Sequence, residues 1–128
     1  MKNTTSCLRI LVVDDDTDAL EIVATLLKLL GYEVYTQCSG EAALVFIEAL
    51  HPNVVISDIG MPGWDGYETA IRIRQQTYGK HVLLIALSGY GSDEHKKKAL
   101  QSGFNYHLTK PLDTNLLRRI IDKHLSGF

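Results

Sequence analysis

Cysteine, proline and tryptophan are scarce in this 128-residue chain, which has two, three and one of them. Cys7 and Cys38 lie far apart in unrelated contexts and form no CxxC pair. That excludes a disulfide framework and leaves free thiols in a reducing compartment as the expectation. The five histidines show no HxxxH spacing, so the common zinc arrangements are excluded. Long apolar runs are missing: none approaches the roughly 18 residues of a membrane span. Met1 to Cys7 is polar and too short for a signal peptide. An excess of one charge is missing as well. Thirteen basic residues against fifteen acidic leave a formal net charge of −2. That balance gives no electrostatic case for nucleic acid or an acidic membrane. With no repeat, linker or low-complexity stretch, one cytoplasmic domain over residues 1–128 is expected, with a core of about residues 8–125.

The apolar share is 45%, enough for a core without covalent staples. Leu8 to Val13, Val54 to Ile56 and Val82 to Leu87 are short, almost purely apolar runs. Such runs read as strands covered on both faces. Glu33 to Gln37 and Asn105 to Thr109 are weaker strands. Five helical patterns lie between and after them. The first runs from Thr17 to Leu30 with a stripe of Leu20, Val23, Leu27 and Leu30, and Gly31 sits where a left-handed terminus is expected. Ser39 opens the second, whose stripe is Ala43, Phe46, Ile47 and Leu50. Asp65 and Glu68 have capping-box spacing at the start of the third. Ser92 caps a fourth near Asp93 to Ser102, and the fifth runs near Thr114 to Leu125. Ala99 and Leu100 are the only aliphatic residues of the fourth, which predicts weak local stability. Every strand-to-strand connection contains a helix. That implies right-handed parallel crossovers and an α/β domain, a five-stranded parallel sheet with helices on both faces.

Polar residues follow the strands in a telling way. Val13 precedes Asp14, Asp15 and Asp16; Ile56 precedes Ser57 and Asp58; Leu87 precedes Ser88; Thr109 precedes Lys110. In a parallel sheet these positions share the carboxyl edge, where open α/β sheets bind ligands. Carboxylates gathered there repel unless a cation joins them, and oxygen-only ligands suit a hard ion such as Mg²⁺. A carboxylate beside such an ion can act as a nucleophile toward a phosphoryl group.

Four motifs carry a resemblance over nearly the whole chain, from about Leu8 to Leu125. They are Ile10-Leu-Val-Val-Asp14-Asp15-Asp16, Ser57-Asp58-Ile-Gly60-Met-Pro62-Gly-Trp-Asp65-Gly66, Ala86-Leu-Ser88-Gly and Lys110-Pro111. In this order and spacing they resemble the receiver domains of two-component response regulators. The resemblance implies a flavodoxin-like fold with strand order 2-1-3-4-5. It implies Asp58 as phosphoacceptor, taking its group from a phosphohistidine on a histidine kinase or histidine phosphotransfer protein. Asp15, Asp58 and the Gly60 carbonyl would hold Mg²⁺, with Mn²⁺ as a substitute and Asp14 acting through water. Ser88 would be the switch hydroxyl and Lys110 the cation on the phosphoryl group, with a cis bond to Pro111. Self-phosphorylation and self-dephosphorylation are implied, in a signalling module rather than an enzyme proper.

Receivers often carry Tyr or Phe three residues before the lysine. Here that residue is His107, which resembles receivers attached to hybrid histidine kinases and is expected to give a weaker or different switch. Tyr106 is out of register and should face the other way. Tyr90 is expected to influence the lifetime of the phosphorylated form. With no DNA-binding segment after the last helix, output is expected through a downstream protein target, from a stand-alone receiver or the receiver part of a hybrid kinase. Asp16 and Asp18 read as helix-start residues, Asp65-Gly66 as a turn and cap, and Lys96 to Lys98 as a solvated face. Trp64 reads as a loop residue, and His51, His81, His95 and His124 as surface residues. A pseudo-receiver would not need the intact site residues. A phosphatase with an Asp-x-Asp nucleophile is disfavoured by Gly60, and a flavin module by three aspartates in its phosphate loop.

Overall fold

The alternation of apolar runs and amphipathic stretches becomes five strands and five helices in a computed structural model, which describes residues 8–89 and 91–126, with side chains up to residue 124. The elements are β1 (Arg9–Val13), α1 (Thr17–Leu29), β2 (Glu33–Gln37), α2 (Gly40–Leu50), β3 (Val54–Asp58), α3 (Gly66–Gln75), β4 (Leu83–Ser88), α4 (Asp93–Ser102), β5 (Tyr106–Thr109) and α5 (Thr114–Ser126). A single 3-10 turn, Thr77–Gly79, interrupts the path from α3 to β4. All strand pairs are parallel, in the order β2-β1-β3-β4-β5.

The central strands are apolar on both faces because helices cover both. Ile10, Val12, Ile56 and Ile85 join Leu20 and Leu27 of α1 and Leu117 and Ile121 of α5. Their neighbours Leu11, Val13, Val55 and Leu84 face the other way, against Ile47 of α2 and Ile73 of α3. Ala99 is the one buried residue of α4, and Leu100 is 55% exposed. Leu50 was expected in the core stripe of α2 but is 40% exposed. The reason is that α2 ends there: His51 turns left-handed at φ 48° and stacks on Tyr78 with ring centroids 3.8 Å apart.

The helix starts follow the capping residues. Asp16 accepts from the main-chain N–H groups of Asp18 and Ala19, Ser39 from Ala42, Asp65 from Glu68 and Ser92 from His95. Asp113, unforeseen, does the same for Asn115 and Leu116 ahead of α5. Gly31 has the expected positive φ, 97°, after α1. Cys38 is free and exposed; Cys7 and Tyr90 lie outside the described residues. No helix among those residues is long and apolar enough to cross a membrane.

Candidate phosphoacceptor site

Strand order puts the chain reversal between β1 and β3, and both strands end in carboxylates. β3 runs two residues further than its apolar run, so Ser57 and Asp58 belong to the strand itself. β4 likewise ends on Ser88 rather than before it. In register, Val13 pairs with Ser57 and Asp58 with Leu87. Asp14 therefore stands beside the end of β3, and carboxylate oxygens of Asp14, Asp15 and Asp58 lie within 4.8 Å of one another. Asp14 is buried, Asp58 half-buried and Asp15 exposed.

Lys110 reaches in from the end of β5. Its Nζ lies 3.2 Å from Asp58 Oδ1 and 3.5 Å from Asp14 Oδ2. Its main-chain N–H donates to the Ser88 carbonyl at 2.8 Å, which ties the β5 end to the β4 end. The Lys110–Pro111 bond is cis, as expected. Burial by itself pulls the Lys110 ammonium down. Asp58 and then Asp14 outweigh it, so the net direction is up and the lysine stays charged.

Asp14 moves the other way for a carboxylate. Burial raises its pKa first of all, the Asp16 N–H partly opposes this, the charge of Asp58 adds to it, and Lys110 again opposes. The folded chain thus binds a proton at Asp14 more readily than the unfolded chain does. Its contribution to stability is present below the ordinary carboxylate range and is lost as pH rises through the raised value. At neutral pH, without a cation in the site, the Asp14 charge therefore destabilises the fold. Asp14→Asn in chelator is expected to raise Tm, since it removes the buried charge that the fold disfavours. Added Mg²⁺ should stabilise the parent more than the variant. Calorimetric melts check this; a lower Tm for the variant in chelator would contradict it.

The loop after β3 is held by close main-chain packing. The Gly66 N–H donates to the Ile59 carbonyl at 2.7 Å. A Cβ on Gly66 would stand 2.5 Å from the Asp58 carbonyl oxygen and 2.6 Å from Ile59 Cα. Only glycine lets the start of α3 approach so near. Ser57 Oγ donates to the Asp58 carbonyl at 2.9 Å, fixing the same peptide from the strand side. Gly60 is exposed, with open space where a side chain would be.

Ser88 is buried at the end of β4, and its Oγ lies 3.1 Å from Nε2 of His107. Sequence reasoning placed both residues but not this bond between them. Tyr106 packs on the opposite side of the sheet, with the α1 and α5 core, as its register required. Asp16 and Asp65 serve as helix caps. Trp64 is a half-buried loop residue under Arg72, whose guanidinium carbon is 4.6 Å from the ring centroid. Lys96, Lys97 and Lys98 are exposed, as expected of a solvated face, although Lys98 Nζ also sits 4.5 Å from the Tyr67 ring centroid.

Comparison with known proteins agrees with this geometry. The family model described as "Response regulator receiver domain" matches residues 10–122. Protein PilG of Pseudomonas aeruginosa is 34% identical over 128 residues, covering all of this chain and 95% of its own. The sensor histidine kinase GacS of Pseudomonas protegens is 34% identical over 118 residues; they cover 90% of this chain but 13% of that kinase. Among solved structures, the chemotaxis response regulator CheY4 of Vibrio cholerae has a TM-score of 0.82 at 29% identity, covering 91% of this chain and 98% of that one. The receiver domain of a Pseudomonas aeruginosa sensor histidine kinase, solved with a magnesium ion coordinated in its active-site cleft, has a TM-score of 0.84 at 29% identity, covering 93% and 98%. With the flavodoxin-like strand order, the acidic cluster at the switch point and these matches together, the chain belongs to the response regulator receiver domains of two-component signalling.

Proposed function

We propose that this chain is a phosphoacceptor switch in which Asp58 takes a phosphoryl group from a phosphohistidine donor and a partner protein reads the change. The observation that carries the proposal is the Lys110 ammonium set between Asp14 and Asp58, with Asp15 beside them. Three carboxylates and one ammonium leave the crevice net negative, and every anionic donor in it is oxygen. That donor set fits Mg²⁺, with Mn²⁺ as a substitute. Asp15, Asp58 and the Gly60 carbonyl would hold the ion, with Asp14 acting through water. When bound, it supplies charge neutralisation for the phosphoryl oxygens and the attacking carboxylate.

The chain's own groups do the remainder. An Asp58 carboxylate oxygen attacks phosphorus, a P–O bond to Asp58 forms, and the bond from phosphorus to the donor imidazole breaks; its electron pair stays on that ring nitrogen while the other ring nitrogen keeps its proton, so a neutral histidine leaves. Lys110 already touches Asp58 and would follow the charge onto the phosphoryl oxygens. Ser88, one strand away, can donate its hydroxyl to the same oxygens. The domain would also speed its own dephosphorylation, and the donor would be a histidine kinase or histidine phosphotransfer protein in the cytoplasm. The chain matches 95% of PilG and 13% of GacS, in keeping with either a stand-alone receiver or the receiver part of a hybrid kinase.

Incubation with acetyl phosphate tests the metal requirement. Phosphoryl uptake, followed by intact mass, should need Mg²⁺ and should fall sharply in Asp15→Asn. Uptake that is equal in chelator contradicts the proposal.

A further inference from the structure

Ser88 and His107 occupy neighbouring strands on one side of the sheet. Ala86 pairs with His107 and Ser88 with Thr109, so the hydroxyl and the imidazole meet diagonally at the β4–β5 edge. Ser88 Oγ and His107 Nε2 are 3.1 Å apart, within hydrogen-bond reach. A serine hydroxyl has one proton to give. A neutral imidazole can accept that proton's bond at Nε2, whereas an imidazolium can only donate. Accepting from Ser88 therefore takes a neutral ring with its proton on Nδ1, and the imidazolium takes the opposite orientation of the Ser88 hydroxyl.

We propose that His107 is a positioning residue for Ser88: in the resting chain Nε2 holds the Ser88 O–H, and phosphorylation of Asp58 reverses this hydrogen bond, so that phosphorylation and protonation of His107 favour each other. The inference rests on the proposed reading of Asp58 as phosphoacceptor. To donate to a phosphoryl oxygen, Ser88 must withdraw its proton from Nε2. The Oγ lone pair then faces His107, where an Nε2–H can satisfy it. The added negative charge nearby acts in the same direction. The proton comes from solvent, and by linkage mild acid shifts the chain toward its switched form.

The surroundings hold the resting imidazole neutral. Burial lowers its pKa, its own main-chain carbonyl partly offsets this, and Lys96 and His95 of α4 lower it further. From β4 it is faced by the uncharged Ser88 and Ala86. Nδ1 is buried and has no hydrogen-bond partner in another residue; the His107 carbonyl favours a proton on Nδ1, which leaves Nε2 as the acceptor in the neutral ring. A Tyr or Phe at this position has no titrating group in this range, so the coupling belongs to the histidine.

The test is ¹⁵N NMR of the histidine rings of the full chain with Mg²⁺, titrated from pH 5 to 8, with and without acetyl phosphate. Intact mass of the same samples reports phosphoryl occupancy, and His107→Gln assigns the resonances. In the resting chain Nε2 should be the proton-free nitrogen, with a protonation midpoint below the usual imidazole range. After phosphorylation Nε2 should carry a proton in both ionisation states, and the midpoint should rise by about one pH unit or more, tenfold in the protonation equilibrium. Resting Ser88→Ala should also titrate higher than the resting parent, since the neutral ring loses the bond donated to it. Occupied chains whose Nε2 remains an acceptor, or whose midpoint does not move, overturn the proposal while leaving the phosphoacceptor intact. A folded chain that takes up no phosphoryl group overturns both.

Discussion

Arg74→Ala is expected to lower Tm by about 10 °C without changing the rate of phosphoryl uptake. Arg74 lies at the end of α3, by the starts of β4 and β5, at the edge of the sheet opposite to the strand end that carries Asp58. Its Nε donates to the Gly103 carbonyl at 2.9 Å. Its Nη1 donates to the carbonyls of Gly79 and Val82 at 3.0 and 2.8 Å, and Nη2 to Asn105 Oδ1 at 2.9 Å. Asn105 in turn accepts from the Leu84 N–H with the same oxygen at 2.9 Å. One side chain thus ties α3 to the start of β4, the end of α4 and the approach to β5. Truncation strands several part-buried carbonyls, each costing about 1–3 kcal/mol where water does not reach it. A total of roughly 3 kcal/mol corresponds to about 10 °C at this chain length. Thermal melts of the variant, with uptake measured well below Tm, separate the two effects. A Tm within 3 °C of the parent would show that the ties are replaced by solvent.

Lys110→Ala should do the reverse, with a small effect on stability and a large one on chemistry. The residue is more than a third exposed, so its two ion pairs are screened and add little to folding. Its work in the proposed reaction is to follow charge from Asp58 onto the phosphoryl group. Loss of one such preorganised cation is expected to slow uptake about 10²-fold, within the range seen for single transition-state donors. Removal also strips a competitor for Asp14 and Asp58, so Mg²⁺ should bind the variant at least as tightly as the parent. Time courses of mass gain and calorimetric Mg²⁺ titrations give both numbers. An uptake rate within threefold of the parent would remove Lys110 from the reaction.

Fold and site differ in how far the sequence revealed them. The strands β1 and β4 were legible because helices on both faces demand unbroken apolar runs, and a period of three or four betrayed α1 and α2. Asp14, Asp58, Ser88 and Lys110 were legible because parallel strands must deliver their ends to one edge. Arg74 was not, since nothing local separates it from Arg72, a solvated arginine paired with Glu68 at i,i+4. Its role comes from carbonyls 5 to 29 residues away. The bond from Ser88 to His107 was hidden for a similar reason, spanning 19 residues and depending on strand register. Leu50 misled because periodicity does not say where a helix stops, and the left-handed His51 ends α2 just after it.

The most direct measurement is the intact mass of the parent and of Asp58→Asn after exposure to acetyl phosphate and Mg²⁺. A labile gain of one phosphoryl group in the parent, with none in the variant, is the expected result. An equal gain in both proteins would place the acceptor elsewhere. No gain in a parent shown to be folded and to bind Mg²⁺ would contradict the proposed chemistry at Asp58.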